Sequence, residues 1–120
     1  MSEPYTIKRL DEMEHPWPAW FLVRRSLGVS SFGLNVAELG PGESIPEHDE
    51  QERDQEEVFV TLSGEPTMVL DSAEYPAPEG TFVRVDPSVR RYVVNSGATV
   101  ARVLIVSAPR SSGYEPMDWA

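Results

Sequence analysis

The chain of 120 residues has the length of a single domain, and its twenty acidic and ten basic residues give it a net charge of −10. This charge repels phosphate backbones and anionic lipids, so we expect neither nucleic-acid nor membrane partners. The absence of cysteine excludes disulfides and thiolate chemistry. Because no signal peptide or long apolar run is present, we expect a soluble, cytoplasmic protein.

Eleven prolines, spread from Pro4 to Pro116, argue against long helices because each disrupts a helix interior. Between the prolines lie short β-branched or aromatic runs, separated by turns rich in Gly, Pro and Asn. Such runs predict the strands of a sandwich or barrel. In chain order the predicted strands are residues 5–10, 20–25, 33–39, 58–62, 67–70, 81–85, 91–95 and 99–107. The sequence therefore predicts an all-β fold.

The segment from Glu47 to Glu57 holds seven acids in eleven residues. It contains good helix formers but no apolar side chain, so a helix there would have no face to bury. We expect an extended loop that leads into the strand at Val58, with most of its acids solvated. In an extended chain residues two apart share a face, so His48 and Glu50 are expected to project side by side. An imidazole and nearby carboxylates are ligands that a divalent ion accepts.

The spacing of residues from Gly42 to Asn95 resembles the two motifs of the cupin family. The first family motif is Gly, five residues, His, one residue, His, three or four residues, Glu, six residues, Gly. The second is Gly, five residues, Pro, one residue, Gly, two residues, His, three residues, Asn. The matching segments here are residues 42–64 and 80–95.

The resemblance implies that residues 1–120 form a single cupin domain, a double-stranded β-helix or jelly-roll barrel with antiparallel sheets. An N-terminal strand and aromatic segment would occupy residues 5–25, and a tail would occupy residues 108–120. Family members normally hold a metal at the barrel mouth on three His and one Glu. By position, His48 falls on the first His, Glu50 on the second, Glu57 on the Glu and Arg91 on the third His. Two of the four family ligands are therefore changed.

Arg91 sets the choice between functions, because a guanidinium has no lone pair and cannot replace a His ligand. His48, Glu50 and Glu57 can still hold Mn, Fe, Ni or Zn, with Arg91 offsetting one negative charge. Alternatively, Arg91 reaches the two carboxylates and takes the place of the metal. A third alternative is a purely structural ion cluster with no ligand.

We favour a metal-free cupin that binds a small polar or anionic metabolite in the barrel pocket. The residues expected to contact this ligand are His48, Glu50, Glu57, Arg91, Phe59 and Met68. The alternative is a metal-dependent enzyme of the dioxygenase, isomerase or lyase type that uses His48, Glu50 and Glu57. The sequence leaves open whether a reaction is catalysed.

The N-terminal run from Tyr5 to Leu10 has a β pattern and is separated from the rest of the chain by a proline-rich turn. A sheet edge must be covered, so this run is well placed to add to the sheet of a second copy. Trp17, Trp20 and Phe21 form an aromatic cluster that would bury apolar area either in the core or at the subunit interface. The family resemblance also implies a dimer, so we expect a homodimer.

Overall fold

The computed structural model describes residues 4–120, which contain eight strands, one short α-helix and one 3-10 turn at Leu10–Glu12. The elements in chain order are β1 Trp20–Phe21, α1 Val23–Leu27, β2 Gly33–Leu39, β3 Gln55–Ser63, β4 Thr67–Leu70, β5 Ala73–Pro76, β6 Phe82–Val85, β7 Arg91–Val94 and β8 Ala101–Pro109. No helix in residues 4–120 is long and apolar enough to cross a membrane.

The strands form two antiparallel sheets. One sheet has five strands in the order β1-β2-β8-β3-β6, and the other has three strands in the order β5-β4-β7. The segment that precedes β3 runs beside β7, with Ser44 opposite Val94 and His48 opposite Arg91. This arrangement confirms the predicted all-β jelly roll with antiparallel sheets.

The main core lies between the two sheets, as the alternation of buried side chains along β3 and β7 requires. Phe59 and Met68, predicted to turn inward, are only 2% and 1% exposed. Thr61 is buried on the same face of β3, where its hydroxyl donates to the Ala77 carbonyl at 2.8 Å. Leu70, two residues after Met68 on β4, is half-buried opposite Arg91.

A second apolar cluster covers part of the outer face of the five-stranded sheet. Phe21, Val23 and Val36 form its buried centre, with Leu27 packed against them. The predicted strand over residues 20–25 is therefore wrong beyond Phe21. Val23 and Leu27 lie four residues apart, so one helical turn directs both toward the sheet. The helix α1 ends at Gly28, whose φ of 79° is the left-handed conformation that glycine adopts without strain.

Further elements differ from the prediction. Strand β3 begins at Gln55, three residues before Val58, so the end of the predicted extended loop is already paired as a strand. Residues 5–9 are exposed and lie in no sheet of the described chain, so the predicted strand over Tyr5 to Leu10 is wrong for this single chain. Strand β5, not predicted at all, forms a hairpin with β4. Strand β8 continues to Pro109, so the tail predicted from residue 108 begins after it.

Candidate functional site

Backbone pairing brings His48 and Arg91 together. The His48 N–H donates to the Arg91 carbonyl at 3.1 Å, and the Arg91 N–H donates to the His48 carbonyl at 2.8 Å. Residues paired in this way direct their side chains to the same side of the sheet. A further backbone hydrogen bond fixes the position of Glu50, whose N–H donates to the Pro87 carbonyl at 2.9 Å.

Glu57 approaches this pair from the opposite sheet. It lies on β3 between Val85 of β6 and Ser107 of β8. His48 Nε2 is 3.2 Å from Glu50 Oε1 and 3.9 Å from Glu57 Oε1. Arg91 Nε is 3.8 Å from the same Glu57 oxygen. The structure thus brings the four predicted side chains into one cluster between the sheets, with His48 and Glu50 side by side.

The four side chains lie at different depths. The exposed fraction of the side chain falls from 39% at His48 and 20% at Glu50 to 8% at Glu57 and 0% at Arg91. A molecule that arrives from solvent therefore meets the imidazole and the Glu50 carboxylate first. The guanidinium lies behind the Glu57 carboxylate, which is the reverse of the order that an anion-binding pocket needs.

The orientation of His48 is fixed by its second ring nitrogen. Nδ1 lies 3.0 Å from the Pro46 carbonyl oxygen, and a carbonyl only accepts hydrogen bonds, so Nδ1 carries the hydrogen. Nε2 then faces Glu50 and Glu57 with either a proton or a lone pair. A lone pair directed at two ionised carboxylates is repulsive, so the arrangement is stabilised when a proton or a cation lies between Nε2 and these oxygens.

Burial raises the pKa of Glu57 above its ordinary value. The positive charge of Arg91 lowers this pKa, the negative charge of Glu50 raises it, and His48 lowers it in turn. Among the described residues, Glu57 Oε1 and the Nε and Nη1 atoms of Arg91 are buried without a hydrogen-bond partner. Only Nη2 of Arg91 is paired, to the Asp86 carbonyl at 2.8 Å. The deepest part of the cluster is therefore charged but incompletely satisfied.

These residues fit a divalent cation. His48, Glu50 and Glu57 each offer one ligand atom, and the three atoms lie within 4.8 Å of one another. One imidazole and two carboxylates suit Mn, Fe and Zn, and the Nδ1 hydrogen bond to Pro46 is the kind of support that ligating histidines receive. The unpaired Glu57 Oε1 gives a cation an oxygen that no protein group occupies.

Phe59 and Met68 occupy the next layer of the barrel. Phe59 follows Glu57 by two residues on the same face of β3, and Met68 pairs with Val93, two residues after Arg91. Both are part of the apolar core, so their contact with a ligand stays a prediction.

Arg90 and Arg91 are adjacent in the sequence, and their side chains point in opposite directions. Arg90 is exposed and its Nε donates to Glu47 at 2.8 Å, whereas Arg91 turns inward. Asp86 pairs with Arg84.

The backbone carbonyls of Pro46 and Asp86 orient His48 and Arg91. The sequence did not predict them, because any residue type supplies a carbonyl. The proline-containing turns beside both residues are the only sequence signal for them.

A family profile described as cupin domain matches residues 35–107, a range that contains the whole cluster. The chain belongs to the cupin family. Among solved structures, this cupin is similar to a cupin protein from Bacteroides fragilis, with 18% identity, a TM-score of 0.79 and coverage of 98% of this chain and 94% of the other.

Two other similar structures carry names that suggest an activity. One is described as a sugar phosphate isomerase from a cupin superfamily, from Silicibacter pomeroyi, with 21% identity, a TM-score of 0.72 and coverage of 86% and 75%. The other is a predicted oxalate decarboxylase from Thermotoga maritima, with 22% identity, a TM-score of 0.60 and coverage of 64% and 65%. No curated protein matches the cupin in sequence. At these identities the likeness shows the fold alone.

Proposed function

We propose that this cupin binds a divalent transition-metal cation through His48, Glu50 and Glu57. The observation that supports the proposal is the convergence of three ligand atoms, from β3 and from the segment that runs beside β7, within 4.8 Å of one another. The donor set of one nitrogen and two carboxylate oxygens favours Mn²⁺ or Fe²⁺, with Zn²⁺ also accepted. A bound ion would leave coordination positions for a small molecule and act on it as a Lewis acid.

The charge and depth of the cluster favour a cation over the metal-free anion site expected from the sequence. Glu50 and Glu57 stand between solvent and Arg91, so an anion entering alone would be repelled by two carboxylates before it reached the guanidinium. A cation is instead attracted by the two carboxylates. Arg91 limits the affinity, since its positive charge opposes the cation through Glu57.

A metal-free site for a small polar metabolite is the second candidate. The observation that favours it is the pair of unpaired Arg91 nitrogens, which are donors suited to a polar acceptor. In this alternative a protonated His48 bridges the two carboxylates and takes the role of the cation. A cytoplasmic location and a small-molecule partner are proposed with either candidate.

Elemental analysis and calorimetry test the metal proposal. The protein is treated with EDTA, dialysed and titrated with Mn²⁺, Fe²⁺ under argon, and Zn²⁺. We expect one equivalent to bind to the wild type and none to Glu57→Gln, because a neutral amide removes a charged ligand. Glu56→Gln is the matched control, since Glu56 is adjacent but exposed and paired with Arg84.

Equal binding by Glu57→Gln and wild type would contradict the assigned ligands. Absence of binding by the wild type for all three ions would leave the metal-free alternative. Metal affinity should also decline as the pH falls, because ligation requires neutral His48 and ionised carboxylates.

A further inference from the structure

The turn between Glu50 and Glu57 is longer in this chain than in the family motif. Six residues separate the two glutamates, whereas the motif has three or four in this interval. Residues 51–54 form a turn, and Gln55 begins β3. Glu57 is therefore held by a strand, whereas Glu50 directly precedes the turn, and its position depends on the contacts that hold the turn.

Two backbone hydrogen bonds close this turn from within. The Asp54 N–H donates to the Gln51 carbonyl at 3.1 Å, and the Gln55 N–H donates to the Glu50 carbonyl at 3.2 Å. Asp54 has a φ of 50°, in the left-handed region that an L-residue occupies only at an energetic cost. Such a conformation persists when contacts from the surrounding structure hold it.

Arg110, the first residue after β8, supplies these contacts. Its N–H donates to the Asp54 carbonyl at 3.0 Å. Its Nε and Nη2 atoms both donate to Asp54 Oδ1, at 3.0 and 2.6 Å. Arg110 thus holds the backbone and the side chain of Asp54 at the same time, and it fixes the end of the turn to the end of β8.

We infer that Arg110 is a positioning residue of the metal site, which holds the turn at Asp54 and thereby keeps the Glu50 carboxylate beside His48. The inference rests on the proposed metal function, because Glu50 is one of the three ligands. Groups that hold a ligand in place without touching the metal contribute to metal affinity. Glu50 is the ligand for which this support matters most, since His48 is paired with Arg91 and Glu57 lies within β3.

The sign of the effect separates positioning from electrostatics. Arg110 is positively charged, so its charge alone repels a cation, and its removal would tighten metal binding if it acted only through its charge. If Arg110 acts by holding the turn, its removal weakens metal binding. Both members of the Arg110–Asp54 pair are about half exposed, so the effect on the stability of the whole fold should be small.

Calorimetric titration with Mn²⁺ tests the inference. We expect Arg110→Gln to bind Mn²⁺ roughly three- to fivefold more weakly than wild type, the ratio that an exposed, doubly hydrogen-bonded ion pair can supply. Arg110→Lys should lie between the two, because the ammonium keeps the charge but not the forked donor geometry. The visible absorption of bound Co²⁺ should change in Arg110→Gln, since it depends on how the ligands surround the ion.

Arg102→Gln is the matched control for the loss of charge. Arg102 lies on the same strand β8, is exposed and pairs with the Glu38 carboxylate, so its replacement removes the same charge without altering the turn. We expect it to bind Mn²⁺ at least as tightly as wild type. Equal or tighter Mn²⁺ binding by Arg110→Gln, or an unchanged Co²⁺ spectrum, would overturn the inference while the metal site stands.

Amide hydrogen exchange in EDTA supplies a readout that does not depend on the metal. Arg110→Gln should raise the exchange rates of the Asp54 and Gln55 amides, whose hydrogen bonds close the turn, and leave that of Phe59 within β3 unchanged. Unchanged exchange at Asp54 and Gln55 would show that the turn holds itself and would also overturn the inference. Failure of the wild type to bind Mn²⁺ would instead overturn the proposed function, and the exchange rates would still show whether Arg110 holds the turn.

Discussion

His48 and Arg91 face each other across a hydrogen-bonded backbone pair, so the side chain at position 91 enters the same space as the imidazole. His48 is the nitrogen donor of the cluster, whereas Arg91 is the one side chain of the cluster that cannot bind a metal. The identity of residue 91 therefore controls both the charge of the site and the number of its donors.

Replacement of Arg91 by His should raise the affinity for Mn²⁺ or Zn²⁺ by at least about tenfold, or ~1.4 kcal/mol. The change removes a positive charge next to Glu57 and adds an imidazole beside His48. Titration calorimetry of Arg91→His and wild type measures the difference. An unchanged affinity would mean that a side chain at position 91 does not reach the ligand atoms.

The same variant should be less stable without metal. Arg91 Nη2 loses its hydrogen bond to the Asp86 carbonyl, which should lower the free energy of unfolding by roughly 1–3 kcal/mol. Bound metal should recover this loss, because a ligand that binds only the folded state stabilises it. Thermal unfolding with and without Mn²⁺ separates the two effects.

Glu57 should make the metal-free protein more stable in mild acid. Burial raises its pKa in the folded state, so the folded protein binds the proton more tightly than the unfolded chain does. The resulting stabilisation is complete below the unfolded pKa of about 4.3 and is lost as the pH rises through the higher folded value.

The measurement is the difference in free energy of unfolding between wild type and Glu57→Gln as a function of pH, with EDTA present throughout. We expect wild type to lose stability relative to the variant as the pH rises. The ion-paired surface acids have the opposite pH dependence, but they are the same in both proteins, so their contribution cancels in the difference between wild type and Glu57→Gln. Glu56→Gln, at an exposed position, should show no such trend. A flat difference for Glu57→Gln would place Glu57 in a water-like environment.

The sequence predicts those strands whose ends carry turn residues and whose side chains alternate. The bounds of β2 and β4 agree with prediction because Gly40 with Pro41 ends one, and Gly64 with Pro66 precedes the other. Strand β5 was missed because all four of its residues are exposed, so no apolar pattern marks it. Its backbone pairing with β4 forms the strand instead.

The helix α1 was missed for a related reason. The run that contains Val23 is short and apolar, which favours a strand locally. Burial of Val23 and Leu27 on the outer face of the sheet favours a helical turn, and that contact exists only in the folded chain. In the site, motif spacing predicted the four side chains, but the depth of Arg91 depends on where the two sheets meet.

Gly64 and Gly80, two glycines of the cupin motifs, share a backbone conformation but differ in the space around the Cα atom. Gly64 and Gly80 have almost the same φ, 88° and 87°, a conformation that costs an L-residue roughly 1–2 kcal/mol. A Cβ at Gly64 would lie 2.8 Å from Ala101 Cα and 2.9 Å from the Val100 carbonyl oxygen, whereas a Cβ at Gly80 would have no neighbour within 4 Å.

Gly80→Ala should therefore lower the free energy of unfolding by about 1–2 kcal/mol. Gly64→Ala should lower it further, by a total of roughly 3–5 kcal/mol, because strand β8 must shift away from the new methyl group. Urea denaturation of both variants checks the order. Equal losses would show that the β3–β4 turn can move away from Ala101 without cost.

The N-terminal segment has the features of a contact between two copies of the chain. Tyr5 and Ile7 are 68% and 85% exposed, and they lie two residues apart in a segment that pairs with no strand of the described chain. Strand β6 ends the five-stranded sheet, and Phe82 on that strand is 72% exposed. An unpaired segment with exposed apolar side chains and a free sheet edge are complementary features, so we propose that segment 5–10 of one copy pairs, as an extended strand, with an edge of a second copy.

Light scattering coupled to gel filtration at micromolar concentration should give twice the 13.4 kDa mass of the chain. Ile7→Asp should shift the protein toward the monomer, because the charged side chain cannot be buried between subunits. This substitution is preferable to a deletion of residues 1–12, since Leu10 packs against the cluster around Val36 and its loss would disturb the fold itself. Thr6→Asp is the matched control, because neighbouring side chains of an extended segment point to opposite faces. A monomeric wild type would refute the dimer, and equal dissociation of both variants would place the interface elsewhere.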